Sequence, residues 1–386
     1  MIINEQIKIV NFAKKKISLA KENLNNSNSI FCWFTNIPGT LGYILIKKNF
    51  QKKILTLGDY LVILKVFLSV ANLHNFKVLN NFKNNFIFKK IIITWGSKNN
   101  FKKDGSLNDR CFGVNSKKYK NFLWIVIYDS KSIPNKVDRN IILFGKKNYN
   151  YKYNFFYFFR ILLLKFVQRK FKLSNFFYYF SYNSIYAEIF ENKILKLIDI
   201  NKFSSVAMAY EGQPFQNNFF QTIKKLNPKI KTTGYLQSAQ SLPLNCIARS
   251  GKPDYILTHS SDQAYHLSKY LSWPKKKIRI INSLRYKQKE FIKLSNSILF
   301  PYSFSAFDCL KNEYTNFIKQ VPNYSLNKLK ILQHPFSSNP KMSLKLFKEI
   351  KKINIRFKKK FSQIKKNNIT VVFGSSSAVL LALESG

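Results

Sequence analysis

Acidic residues are scarce in this chain: 18 Asp and Glu stand against 65 Lys and Arg in 386 residues, a formal net charge of +47. Such an excess invites a nucleic-acid reading. Its distribution argues against one, because the Lys, Asn, Ile and Phe surplus runs evenly through core-like and surface-like segments. That is the imprint of A- and T-rich codons rather than a basic patch, and it leaves an anionic membrane surface or an acidic glycan as the better partner for the charge. Cysteine is nearly absent. Cys32, Cys111, Cys246 and Cys309 lie far apart with no CxxC pair, which excludes a disulfide framework and a zinc site and fits reduced thiols in the cytoplasm. No apolar run reaches the roughly 18 uninterrupted residues a spanning helix needs, and the first 20 residues carry scattered charges in place of a signal-peptide core. The expectation is a cytoplasmic chain that is soluble or peripheral at the inner membrane.

What is present is ample apolar material. At 46% hydrophobic the chain can fill two cores. In the first 90 residues "SIFCWFTNIPGTLGYILI" reads as a strand and turn, and "DYLVILKVFLSVANL" as a buried helix. The β-branched run Ile91 to Thr94, then "FLWIVIYDS" and "RNIILFG", read as buried strands. Residues 151–200 interleave aromatics with Arg160, Lys165, Arg169 and Lys170. This reads as a helical hairpin packed on the sheet, with a helix lying in a lipid headgroup layer as the alternative.

From residue 204 a strand–loop–helix rhythm sets in: "SSVAMAY", "KIKTTGYLQ", "PDYILTH" and "KIRIINS" are strands, each leaving into a polar loop. After a linker, "KQKEFIKLSN", it restarts with "SILFPYS", "LKILQHP" and "NITVVF" as strands, and "FDCLKNEYTNFIKQV", "SLKLFKEIKKINIRF" and "SSSAVLLALESG" as helices. The fold class is therefore α/β, with two doubly wound, Rossmann-like domains facing a cleft. The boundaries are 1–290 and 291–386, and the second domain is expected to be incomplete after three strands.

Candidate chemistry gathers at strand exits. Glu211, in "AYEGQPF", ends a strand before a Gly-x-Pro turn, where a carboxylate can take a proton from an attacking hydroxyl; a helix-capping surface acid would look the same. His334 ends "LKILQ", and Pro335 stops the ladder there, so the imidazole can face a phosphate or serve as a turn residue bonded to backbone. Ser375, Ser376 and Ser377 follow Gly374 at a strand-to-helix joint that suits phosphate, although serine is also simply a good N-cap. Gln237 and Gln240 leave the strand of "GYLQSAQ", and Arg285 leaves that of "NSLRY". These three are candidates for an acceptor or cleft surface and, for Arg285, a diphosphate. There is no Asp-x-Asp motif, so no metal is expected.

The order "YEG…HP…SSS" resembles the bacterial sialyltransferase and polysialyltransferase pattern of an acidic motif, a His-Pro and a serine pair. More broadly, "ITWGSKNNFKKDGSLNDRCF", "FLWIVIYDSKSIPNKVDRNIILF", "YEGQPF", "GYLQSAQ" and "NSLRY" are similar to bacterial surface-carbohydrate biosynthesis proteins of the GT-B glycosyltransferase type, which include Kdo transferases. The likeness runs from about Ile91 onward. It implies inverting transfer from a nucleotide-sugar donor, plausibly CMP-linked nonulosonate or Kdo, to a glycan or lipid-linked acceptor. Glu211 would be the base, while His334 and the serines would bind the donor phosphate. Tyr210 stands where sialyltransferases usually carry an acid, which favours the broader glycosyltransferase reading. Two alternatives remain open. One is a polyol-phosphate transferase using a CDP donor, whose histidine–acid chemistry four histidines supply poorly. The other is a truncated, non-enzymatic relative.

Overall fold

The computed structural model describes residues 7–15, 44, 54–82, 88–146, 153–167, 180–237, 242–284, 297–299, 307–326, 330–332, 340–362 and 370–373. The chain divides into two compact units, one of residues 1–237 with 241–288, the other of 238–240 with 289–386.

The first unit is built on an eight-stranded sheet. Its strands are β1 (Phe76–Val78), β2 (Lys90–Gly96), β3 (Phe122–Tyr128), β4 (Ile141–Lys146), β5 (Ser205–Ala209), β6 (Lys231–Tyr235), β7 (Tyr255–Thr258) and β8 (Ile278–Ile280). They lie in the order β1-β4-β3-β2-β5-β6-β7-β8. Only the edge strand β1 is antiparallel, to β4; the rest pair parallel. The chain runs outward from β2 to β3 and β4, then returns to lay β5 on the other side of β2. The sheet thus reverses direction between β2 and β5. This is a doubly wound α/β topology, and it fits a GT-B-like fold.

The central strands are apolar on both faces because both are covered, one by helices and the other chiefly by the loop between β2 and β3, with Leu107, Cys111 and Phe112. Ile91, Ile93, Leu123, Ile125, Ile142, Phe144, Val206 and Met208 face one core, and Ile92, Trp124, Val126, Ile141, Leu143, Ala209 and Tyr235 the other. Helices α3 (Tyr182–Leu195) and α4 (Pro214–Leu226) pack on each other over the first core. Phe190 meets Phe215 and Phe219 edge-on there, at 5.2 and 5.4 Å between ring centroids. Helix α5 (Ser261–Lys269) joins β7 to β8.

One expectation changes. Helix α1 (Leu57–Leu68) is not a buried helix: it has no buried residue, and burial begins only where it tightens into the 3-10 segment Ser69–Asn75, at Val70, Ala71, Asn72 and Leu73. Apolar composition showed that α1 needed cover but not that the protein supplies it. Helix α2 (Phe155–Val167) likewise has no buried residue. Only its inner side, Tyr157, Phe158, Ile161 and Leu162, rests on the core. The strand and turn expected at 29–46 lies outside the described residues, apart from Ile44.

In the second unit β9 (Ser297–Leu299) is flanked in parallel by β10 (Lys330–Leu332) and β11 (Thr370–Val372). Helix α6 (Phe307–Gln320) turns Leu310, Tyr314 and Ile318 inward, and α7 (Pro340–Arg356) turns Leu346, Ile350 and Ile353 inward. The i, i+4, i+7 or i+8 spacing is that of an amphipathic helix covering a sheet. The tyrosine hydroxyl of Tyr314 donates to Asn354 Oδ1 at 2.5 Å, which satisfies the polar end of a ring otherwise sunk in the core.

Candidate functional site at the carboxyl edge of the first sheet

The stretch Tyr210–Asn217 explains how Glu211 comes to stand where it does. Pro214 opens α4 at its first position, where a missing N–H costs nothing. One turn on, the buried Gln216 reaches back. Its Oε1 accepts from the backbone N–H of Glu211 (2.9 Å) and of Gln213 (3.0 Å), and its Nε2 donates to Ala209 O (2.7 Å). Asn217 Nδ2 donates to Gly212 O and Gln213 O, both at 3.2 Å, and its Oδ1 accepts from the Tyr210 hydroxyl at 2.7 Å. Two side chains of one helical turn therefore satisfy the strand-to-helix loop.

Tyr210 is fully buried, and burial pushes its phenol pKa up. Successive residues leaving a strand point to opposite sides, so the tyrosine anchors in the core while Glu211 is turned out of it, half-buried. The position that departs from the sialyltransferase pattern thus has a packing role here.

Gly212 has φ +68°, and a Cβ there would fall 2.1 Å from Asn245 O. Only glycine fits a left-handed residue pressed so closely against backbone. Arg249, almost entirely buried, clamps the same junction: its Nη2 donates to Gly212 O at 2.7 Å and its Nη1 to Asn245 O at 3.0 Å. Cys246, next to Asn245, is buried and its thiol pKa is raised by that burial.

The Glu211 carboxylate is held by neutral amides. Gln213 Nε2 donates to Oε2 at 2.7 Å, and Gln237 Nε2 donates to Oε1 at 2.9 Å. Among the described residues Glu211 forms no ion pair, in a chain where cations outnumber acids more than three to one. Each oxygen keeps lone-pair capacity to accept a further proton or hydroxyl.

The register explains the meeting of Glu211 and Gln237. Ala209 pairs with Tyr235, and Tyr235 with Leu257. Two residues further along each strand, the same alignment brings Glu211, Gln237 and His259 into one row at the carboxyl ends of β5, β6 and β7. On the other side of β5, the end of β2 presents Trp95, whose ring meets Phe215 of α4 edge-on at 6.3 Å. Glu211 therefore borders the place where the strand order reverses, the usual ligand position of an open α/β sheet.

His259 and Arg249 were missed by sequence reasoning. His259 stacks edge-on against Tyr235 at 5.3 Å, and both its ring nitrogens are shut off from solvent without a hydrogen bond of good geometry. Burial lowers its pKa; the nearby Leu236 backbone opposes this weakly, so the ring is neutral near pH 7. The strand–loop exit of "YILTHSS" was a usable signal for His259. Nothing local marks Arg249, whose partners are backbone atoms.

A second buried carboxylate, Asp109, sits beside β2 in the loop that follows it. It accepts from Thr94 Oγ1 and, at 2.5 Å, from the backbone N–H of Phe112. Burial raises its pKa to about 6 against the pull of these donors. Its partners are a hydroxyl of β2 and the loop's own backbone, so it ties the loop to the strand rather than facing a ligand.

Of the residues singled out in the sequence, the structure brings Glu211 and Gln237 into contact. Gln240, Arg285, His334, Ser375, Ser376 and Ser377 lie outside the described residues. Among the described residues no group of three His, Cys, Asp or Glu side chains is placed to hold a metal ion.

No protein-family model matches the chain, and a search of characterised proteins returns no match. Among solved structures, one described as "OtsA apo structure" aligns over 77% of this chain and 76% of its own, with 10% identity and a TM-score of 0.39. A likeness that low carries no argument, and the fold assignment rests on the strand order and register.

Proposed function

We propose that this chain is a glycosyltransferase in which Glu211 takes the proton from the acceptor hydroxyl as that oxygen attacks the sugar of a nucleotide-activated donor. The carbon–oxygen bond to the donor phosphate breaks, the nucleotide leaves with the electron pair, and configuration at the sugar carbon inverts. The observation that supports this is the Glu211 carboxylate itself, which borders the reversal point of a doubly wound sheet and is oriented by Gln213 and Gln237 amides rather than neutralised by a cation. Amides fix a carboxylate's direction and leave its charge available for a proton.

The finer reading follows from the resemblance in the sequence. The donor would be a CMP-linked nonulosonate or Kdo, and the product a surface polysaccharide such as lipopolysaccharide or capsule. Arg285, His334 and the serines Ser375 to Ser377 would be the donor-phosphate contacts, and Gln237 and Gln240 would stand on the acceptor side.

The test is nucleotide release by the purified chain from CMP-, UDP- and GDP-sugars with glycan acceptors, with a CDP-polyol as a parallel donor. The expected result is turnover that falls by about 10²–10⁴ in Glu211→Gln, while donor still raises the melting temperature of the variant. Turnover of Glu211→Gln equal to wild type removes the base, and release from the CDP-polyol alone moves the assignment to polyol-phosphate transfer.

A further inference from the structure

Helix α1 runs directly into the 3-10 segment Ser69–Asn75, α2 packs on that segment, and both helices leave large apolar side chains in solvent. On α1 these are Leu57, Tyr60, Leu61 and Leu64, exposed by 53–78%, at the i, i+3, i+4, i+7 spacing of one face. On α2 the outer face carries Phe156 (80%), Phe159 (61%), Leu163 (65%) and Val167 (70%). The opposite side of α2 already rests on the core, so this helix is apolar almost all round, a pattern that in water demands a second apolar neighbour. Phe155, Phe156 and Phe159 alone leave about 400 Å² exposed, taking about 200 Å² per ring residue. That much contiguous apolar surface marks an interaction site.

We infer that this surface docks on an anionic lipid bilayer, with α1 and α2 lying in the headgroup layer. Charge selects the occupant. Asp59, bound up in the capping box at the start of α1, is the one acid on either helix; none follows it until Asp104 and none lies between Asp138 and Glu188, while Lys and Arg are frequent in both stretches. Lys65 and Arg160 stand exposed on the two helices themselves. A second copy of the chain would bring the same cations against these, whereas an anionic leaflet attracts them.

Lying on the membrane, rather than crossing it, follows from the core. The helical stretch Leu57–Asn75 is long and apolar enough to cross, at mean hydropathy 1.3. However, its second half is committed to the protein: Val70, Ala71 and Leu73 have no exposed surface, and Ala71 O accepts from the Asn154 N–H at 3.3 Å and bonds His74 Nδ1 at 2.8 Å. Pulling that half into lipid would open the core of the first unit. An interfacial helix needs only its outer face.

The test is co-sedimentation of the full chain with phosphatidylcholine vesicles, with and without about one-third phosphatidylglycerol. Binding to the anionic vesicles that weakens as salt rises is expected. It should fall at least about tenfold in the double variant Phe156→Ser, Phe159→Ser, and more modestly in Arg160→Glu, with unchanged melting temperatures because all three side chains already face solvent. Absence of binding, or equal binding by the double variant, overturns the inference. So does a wild-type dimer without lipid that the double variant breaks, which would assign the surface to a second copy.

Discussion

Gln237 and Glu211 lie 26 residues apart in sequence and meet across two neighbouring parallel strands, Nε2 to Oε1 at 2.9 Å. The amide is a donor of fixed direction, and with Gln213 on the other oxygen it holds the carboxylate in one plane. Replacing Gln237 by Leu removes one of two oriented donors without touching the base. If the proposed transfer is correct, turnover should fall by about tenfold, the effect of misplacing a catalytic group by a fraction of an ångström. Gln237→Glu should cost more, since two carboxylates would then share the site and raise each other's pKa. Turnover at one pH, measured for both variants against wild type, checks the order; a Gln237→Leu rate equal to wild type would show that this amide does not orient the base.

Arg249 joins the loop after β5 to the segment before β7 through two backbone carbonyls. Arg249→Met keeps the stem's volume and leaves both carbonyls without their donor. A lost charged donor to a buried acceptor costs about 1.5–3 kcal/mol, so the first unit should lose roughly 2–4 kcal/mol. All four tryptophans, Trp33, Trp95, Trp124 and Trp273, fall in the first unit. Urea unfolding followed by tryptophan fluorescence therefore reports on that unit alone. A midpoint unchanged from wild type would show that solvent replaces the guanidinium.

Asp109 predicts a pH dependence of defined sign. Burial raises its folded pKa to about 6, above the ordinary value near 3.9. The folded state therefore holds this proton more tightly than the unfolded state does. The resulting stability is complete below about pH 4 and is lost as pH rises through 6. Asp109→Asn can keep both loop contacts, with its oxygen on the Phe112 N–H and its amide on Thr94, and it does not titrate. The stability of Asp109→Asn relative to wild type should thus increase by about 2 kcal/mol between pH 4 and pH 7. A difference that stays flat over this range would mean that water reaches the carboxylate.

Much of the first sheet was legible because its strands are short runs of β-branched and aromatic residues between polar loops. "IIIT", "FLWIVIY" and "IILF" lie within β2, β3 and β4. Glu211 and Gln237 were legible as strand-end residues for the same reason. Helix α1 was misread in its burial because an apolar run states a need for cover and not its source. His259 and Arg249 were missed: each acts through partners supplied by other elements, an aromatic ring on β6 and two carbonyl oxygens.

The sequence by itself determined the α/β class, the basic charge and the carboxylate at a strand exit, since alternation, composition and turn residues are local properties. Only the tertiary structure decided that β5 returns to lie beside β2 and that Glu211 and Gln237 share a row. It also decided that Tyr210 points into the core and that α1 and α2 turn Leu and Phe to the outside. Parallel pairing joins backbones more than a hundred residues apart, as Ile91 does with Val206. Those hydrogen bonds are identical for every side chain, so neighbour and register are chosen by the packing of whole faces, which no single stretch of sequence encodes.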